Sequence, residues 1–120
     1  MSEEDRVFIL TEFTITAGQV DEFKKIAQEL LDVVKEKELE TFRYQWYFNK
    51  DQTKSYLLEE YPNAAAVRVH AIHVGMILPK ALKISKISSS IVLGKLNVVA
   101  QEALRVLGTQ HFEYWNGLVH

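Results

Sequence analysis

The sequence predicts an α+β fold in which an antiparallel sheet carries helices on one face. Apolar residues recur with a period of two in some segments and of about 3.6 in others, which indicates strands and helices respectively. In chain order these segments are strand, long helix, strand, strand, helix and strand, with one more helix and strand at the end. This order is the split βαβ arrangement of ferredoxin-like domains. The 120 residues fit one such domain, with residues 95–120 as a C-terminal helix–strand elaboration.

The first strand and the first helix carry the clearest patterns. Residues 7–15 place apolar side chains on both faces of a strand, so both faces are expected to be covered. Residues 19–38 have one broad apolar stripe and a charged opposite face, which indicates a helix lying flat on the sheet. The stripe consists of Val20, Phe23, Ile26, Ala27, Leu30, Leu31 and Val34.

The next two strands are predicted to form a hairpin. Residues 42–48 and 54–61 are joined by a polar turn at residues 49–52. One face of the first of these strands is aromatic throughout, which buries more area than a single helix needs to cover. Part of this face is therefore expected to line a cavity or a subunit contact. Its residues are Phe42, Tyr44, Trp46 and Phe48.

After Pro62 the period becomes helical again. Asn63 is placed to cap the new helix, and Gly75 is placed to end it. Residues 84–93 are a predicted strand that keeps its apolar side chains at odd positions. Those side chains are Ile87, Ile91 and Leu93. Further elements are expected at residues 76–83 (a short helix), 98–107 (a helix) and 110–115 (a strand).

Composition excludes several classes of function. A net charge of -2 and a pI near 6.1 give no electrostatic reason to expect nucleic acid or an anionic membrane as a partner. The absence of cysteine excludes disulfides, thiolate metal sites and cysteine nucleophiles. No apolar run approaches the roughly 18 residues of a membrane span, and the acidic start MSEEDR is unlike a secretory signal. A soluble cytoplasmic protein is expected.

The second face of the predicted sheet is also apolar. An antiparallel sheet with helices on one side leaves that face in water, which is unfavourable for a large apolar patch. A second copy of the chain is expected to cover it. Two sheets meeting face to face would form a homodimer, a dimeric α/β barrel with twofold symmetry.

Two short motifs carry a resemblance to a known family. The run Glu60-Tyr61-x-Asn63-x-Ala65-x(4)-His70 and the turn Ala17-Gly18-Gln19-x-x-Glu22-Phe23 resemble the antibiotic biosynthesis monooxygenase superfamily of dimeric α+β barrels. The resemblance covers roughly residues 7–94. It implies cofactor-independent oxygenase chemistry on phenols or quinols, although the family also contains members without an assigned reaction. Its heme-degrading branch uses an asparagine on the first strand, which residues 7–15 lack, so heme degradation is disfavoured.

His70 matches the family's helix histidine and is the candidate catalytic residue. A neutral imidazole at the edge of an apolar stripe can act as a base towards a phenol, and the resulting anion reacts with oxygen without metal or flavin. The alternative is a structural histidine bonded to a backbone carbonyl or to Tyr61.

His73 lies one turn beyond His70 and is a candidate substrate contact. The pair could begin a metal site with Glu59 or Glu60, but no third ligand is specified, so no metal is expected. Glu59 and Glu60 are adjacent on a strand and point to opposite faces, so they cannot form a close carboxylate pair.

Four aromatic residues are candidate substrate contacts: Trp46, Tyr61, Tyr44 and Tyr56. They can line a pocket for a flat aromatic molecule, or they can be core and dimer contacts. The sequence thus favours a cofactor-independent monooxygenase acting on a small phenolic or quinol-type molecule. The alternative is a non-catalytic module of the same fold that binds a small hydrophobic ligand, with the pocket space filled by Phe48 or Tyr56.

Overall fold

A computed structural model describes residues 3–120, with Glu3 described by its backbone alone. After a 3₁₀ turn at Glu3–Asp5, the chain forms five strands and four helices. They are β1 (Val7–Ile15), α1 (Val20–Lys37), β2 (Arg43–Phe48), β3 (Lys54–Tyr61), α2 (Ala64–Val74), α3 (Leu78–Leu82), β4 (Ser85–Gly94), α4 (Val98–Arg105) and β5 (Gln110–Phe112). The predicted α+β class and the order of elements are confirmed.

The strands form one open sheet in the order β2-β3-β1-β4-β5. The pairs β2–β3, β3–β1 and β1–β4 are all antiparallel, as the split βαβ arrangement requires. β5 is parallel to β4 because α4 carries the chain back across the sheet, so the sheet is mixed and not purely antiparallel. β5 is also shorter than predicted and ends at Phe112.

The central strand β1 separates the two faces of the sheet. Its odd-numbered residues are buried beneath the helices, and its even-numbered residues are only partly covered. Phe13 and Ile15 pack against α1 in one cluster, which also contains Phe23 and Leu30. Val7 and Ile9 belong to a second cluster beneath α2 and α4, with Tyr61, Val67, Val92, Ala100 and Leu104. The helices therefore lie on one face of the sheet, as predicted.

The prediction for β4 is wrong in one respect. The register of β4 against β1 shifts between Glu12 and Phe13, because a bulge at Ser88 inserts one extra residue. Ile87 consequently packs on the helix side, whereas Ile91 and Leu93 pair with β1 residues of the outer face. The three odd-numbered apolar residues do not share a face.

The caps of α2 agree with the sequence. The side chain of Asn63 accepts a hydrogen bond from the backbone N–H of Ala66 (3.0 Å), and Gly75 stands at the C-terminal end. Pro79 lies in the first turn of α3, where a missing N–H is tolerated. The cap fixes where α2 begins and therefore which of its side chains face the sheet.

The outer face of the sheet carries an apolar patch that none of the described helices covers. The register aligns Leu10 between Leu58 of β3 and Ile91 of β4, and Phe8 next to Leu93. These five residues are called the outer-face patch. None of the helices described within residues 3–120 is long and apolar enough to cross a membrane.

Candidate functional site

A cavity of about 670 Å³ lies between the sheet and helices α2, α3 and α4. Its floor is formed by the helix-side residues of β1, β2 and β3. Its mouth is formed by Ile72, Val99 and Val106, which are largely exposed. The apolar part of the lining includes Ile9, Phe13, Leu57, Val67, Leu104 and Leu107. The volume suits a ligand of one or two rings.

Three polar side chains line the deep, buried part of this cavity. They are Tyr44 of β2, Glu59 of β3 and His70 of α2, all less than a tenth exposed. Alternation along β3 places Glu59 on the helix side of the sheet. The position of His70 along α2 directs its side chain towards Glu59. The distance from His70 Nε2 to Glu59 Oε1 is 3.3 Å.

Glu38, just beyond α1, binds the other side of the imidazole. His70 Nδ1 lies 2.9 Å from Oε1 of Glu38, and His73 Nδ1 lies 2.9 Å from Oε2. The hydroxyl of Thr41 donates a third hydrogen bond to Glu38 at 2.7 Å. The imidazole of His70 is thus held between two buried carboxyl groups.

The pKa shifts within this cluster follow from burial and pairing. Burial alone lowers the pKa of His70, but the hydrogen bond to Glu38 and the charges of Glu59 and Glu38 outweigh it and raise that pKa above the ordinary value. Burial raises the pKa of Glu38, yet its bonds to His70, Thr41 and His73 leave it below the ordinary value. The two opposite shifts favour the pair of a Glu38 carboxylate with a His70 imidazolium.

Glu59 behaves in the opposite way. Burial raises its pKa, and the positive charge of His70 and the hydrogen bond from Tyr61 offset this only in part. The hydroxyl of Tyr61 donates to Oε1 of Glu59 at 2.5 Å. Burial, followed by the nearby carboxylate charges, holds the pKa values of Tyr44 and Tyr61 well above the ordinary range, so both phenols stay neutral. Glu59 can therefore hold a proton inside the cavity.

The structure brings some predicted site residues together and separates others. Tyr44 and Tyr61 pack against the ring of His70, with centroid distances of 5.2 and 5.4 Å. Tyr44 lines the cavity, whereas the fully buried Tyr61 reaches it through Glu59. His73 binds Glu38 from outside the cavity.

Trp46 and Tyr56 lie away from His70. Trp46 packs against Phe13 and Phe23 in the core, and its indole N–H has no hydrogen-bond partner among the described residues. Tyr56 lies on the outer face of the sheet, opposite Glu12. Phe48 packs on Phe23, and Tyr56 faces the other side of the sheet. Neither residue therefore fills the cavity.

Glu59 and Glu60 point to opposite faces, as predicted. Glu60 lies on the outer side, where it pairs with Arg6 and with Nε of Arg43 at 3.3 Å. Only Glu59 reaches the cavity. Over residues 3–120, no three His, Asp or Glu side chains are arranged so that they could hold a metal ion.

The sequence prediction missed Glu38 and considered Glu59 only as a possible metal ligand. For Glu59 a signal exists, because it shares a strand face with Leu57 and Tyr61, which are buried. A carboxyl on an apolar face is unfavourable unless it has a partner. Glu38 has no such signal, since it follows a helix whose exposed face is rich in Glu and Lys.

Comparison with known proteins identifies the fold. No protein-family model matches the sequence, and no curated protein has a significantly similar sequence. The crystal structure of MupZ from Pseudomonas fluorescens superposes with a TM-score of 0.84 at 18% identity, over 97% of this chain and 95% of that one. This match is long enough to include the C-terminal helix and strand.

Two further solved structures carry a descriptive name. A candidate antibiotic biosynthesis monooxygenase from Caulobacter crescentus has a TM-score of 0.64 at 16% identity, covering 74% of this chain and 86% of that one. Another, from Bacteroides thetaiotaomicron, has a TM-score of 0.65 at 16% identity, covering 81% and 93%. This chain has the antibiotic biosynthesis monooxygenase fold. The resemblance seen in the sequence is confirmed at the level of the fold.

Proposed function

We propose that this protein is a small enzyme that holds an apolar, oxygen-bearing molecule in the cavity and exchanges protons with it through Glu59 and His70. The proposed reaction is cofactor-independent monooxygenation of a phenolic or quinol-type aromatic molecule. The observation that carries the proposal is the carboxyl–imidazole pair at the buried end of a mostly apolar cavity. The names of two proteins with this fold favour oxygen chemistry.

The chemistry begins with a proton transfer from the substrate. A carboxylate whose pKa is raised is a stronger base than an ordinary one, so ionised Glu59 is suited to take the proton of a phenol. The neighbouring His70 imidazolium stabilises the anion that forms. The electron-rich ring then gives four electrons to oxygen. One oxygen atom enters at a ring carbon, the hydrogen of that carbon and the hydroxyl proton leave with the other oxygen atom as water, and the product is a quinone. Tyr44 lies beside the reacting end and can orient the ring.

A second reaction class is favoured by the same raised pKa. In its protonated form Glu59 is a general acid at the end of an apolar cavity, and it can protonate an oxygen atom of the ligand without any oxidation. This candidate differs from the first in consuming no oxygen. A non-catalytic binding protein would return its ligand unchanged.

We also propose that the enzyme is a homodimer formed through the outer-face patch. The patch is apolar and lies at the centre of the sheet, on the face that carries no helix. A second copy would bury it and leave the cavity of each copy open on the opposite side of its own sheet.

Glu59→Gln tests the proposed reaction. The amide keeps the shape of the side chain but cannot transfer a proton, so oxygen uptake with a library of phenols and quinols should fall by about 10²–10⁴-fold. Glu59→Gln is preferable to His70→Ala, which would leave two carboxyl groups buried without their shared cation.

Glu60→Gln is the matched control, because it makes the same change one residue away on the other face of the sheet. It should keep its activity. Equal oxygen uptake in wild type and Glu59→Gln would contradict the proposal. Conversion without oxygen uptake that is lost in Glu59→Gln would select the second reaction class, and binding without conversion would select the non-catalytic alternative.

A further inference from the structure

Beyond the cavity, the polar cluster continues to the protein surface. Glu59 contacts His70 at 3.3 Å, His70 contacts Glu38 at 2.9 Å, and Glu38 contacts His73 at 2.9 Å. The side chains of the first three are at most 9% exposed, whereas that of His73 is 23% exposed. The exposed fraction is therefore largest at His73, the member of the cluster that lies farthest from the cavity.

We infer that these four residues form a proton relay, and that His73 is the group that exchanges the proton with solvent. The inference rests on the proposed proton transfer at Glu59. An apolar ligand in the cavity expels water from around Glu59, so a proton can no longer travel through the mouth. His73 does not line the cavity, and its route to solvent stays open when a ligand is bound.

Each link moves one proton. In the inward direction, His73 starts with its proton on Nδ1, and His70 starts as the neutral tautomer with its proton on Nε2. Water gives a proton to Nε2 of His73, and Nδ1 of His73 gives one to Glu38. Glu38 gives it to Nδ1 of His70, and Nε2 of His70 gives one to Glu59. One proton leaves the water and one reaches Glu59. Rotation of the two rings, or a proton transfer in the outward direction, restores the starting tautomers.

The surroundings favour this path over leakage to other groups. The titratable neighbours of His70 are Tyr44 of β2, Tyr61 and Glu59 of β3, Glu38 and, on its own helix, His73. Both tyrosines have raised pKa values and stay neutral. The Thr41 hydroxyl and the two imidazoles hold the Glu38 carboxylate in one orientation, which keeps the links short.

The relay is tested by the rate at which the ring N–H protons of His70 exchange with water. This rate is measured by NMR saturation transfer on the full-length protein labelled with ¹⁵N-histidine. His73→Gln keeps an N–H donor for Glu38 but cannot ionise, so the exchange should slow by at least about tenfold. Imidazole added to the buffer should restore the rate. His73→Ala, which removes the ring, should show the same slowing and the same rescue.

His111→Gln is the control. His111 bonds the carbonyl of Gly94 at the edge of the sheet, away from the cluster, and its loss should leave the exchange of His70 unchanged. An unchanged rate in His73→Gln would overturn the relay, and so would equal slowing in His73→Gln and His111→Gln. Because the measurement needs no substrate, its failure is distinguishable from failure of the proposed reaction, which Glu59→Gln tests separately.

Discussion

At the scale of single residues, the site depends on Glu38. Its two oxygens hold both imidazoles of α2, and the hydrogen bond to His70 is the largest of the interactions that raise the pKa of this buried histidine. A buried imidazolium without such a partner would lose its proton. The charge on His70 in turn partly stabilises the ionised form of Glu59.

Glu38→Gln should therefore lower the pKa of His70. The wild-type value should lie above the ordinary 6.5, and the variant's value should be lower because the carboxylate that binds Nδ1 is gone. Titration of the histidine ring signals by NMR measures both, with Glu40→Gln as a control at an exposed neighbour. A wild-type His70 that titrates at or below 6.5 would contradict the arrangement.

The same shift has a consequence for stability. Because the folded pKa of His70 is raised, its contribution to the free energy of unfolding is complete below pH 6.5 and is lost as the pH rises through the folded pKa. The raised pKa of Glu59 acts in the same direction, since ionising it above pH 4.5 disfavours the folded state. Urea denaturation of the wild type should show the free energy of unfolding falling as the pH rises from 4.5 through the folded pKa of His70. A flat or rising profile would be inconsistent with both shifts.

At the scale of elements, the end of β4 is closely packed against β1. Gly94 has a φ of +131°, and a Cβ there would lie 2.2 Å from the carbonyl oxygen of Arg6. Gly18 also has a positive φ, of +80°, but has open space around it. Substituting each glycine by alanine therefore distinguishes the cost of backbone strain alone, at Gly18, from that of strain plus steric overlap, at Gly94.

Gly94→Ala should therefore destabilise the protein more than Gly18→Ala. The expected loss is roughly 3 kcal/mol or more for Gly94→Ala, because overlap adds to strain, and about 1–2 kcal/mol for Gly18→Ala. Chemical denaturation of the two variants provides the comparison. Equal losses would contradict the close approach of Gly94 to the carbonyl oxygen of Arg6.

The elements themselves were largely predictable. The strand pattern of residues 7–15 and the apolar stripe of α1 give boundaries within one or two residues of those observed. The bulge at Ser88 was not predictable, because three consecutive serines carry no facing preference of their own. A one-residue insertion reverses every later side chain, which is why Ile91 and Leu93 lie on the outer face.

At the scale of the whole molecule, the candidate site is a tertiary arrangement. His70 was identifiable from the resemblance, and Glu59 from its position on the buried face of β3. Glu38, by contrast, reaches His70 only because α1 ends beside α2, with the two residues separated by 32 positions in sequence. Trp46 and Tyr56 were grouped with His70 as aromatic residues. Trp46 shares the helix side of β2 with Tyr44 but packs against Phe13 and Phe23, and Tyr56 lies on the outer face of the sheet.

The homodimer proposal is also a prediction at this scale. Leu58→Lys places a charge at the centre of the outer-face patch, next to Leu10, and should convert a dimer into monomers. Met76→Lys makes the same kind of change at a residue that is 86% exposed beyond α2, and it should remain dimeric. Sedimentation equilibrium measures all three proteins. A monomeric wild type, or a dimeric Leu58→Lys, would contradict the proposal.

The most direct test of the proposed site is a crystal structure of the protein soaked with 2-naphthol, a flat phenolic probe. The proposal predicts that the rings lie among Leu57, Val67 and Leu104, with the hydroxyl within hydrogen-bond distance of Glu59. A probe absent from the cavity, or bound with its hydroxyl at the exposed mouth, would contradict the assignment of Glu59 and His70 as the reacting end.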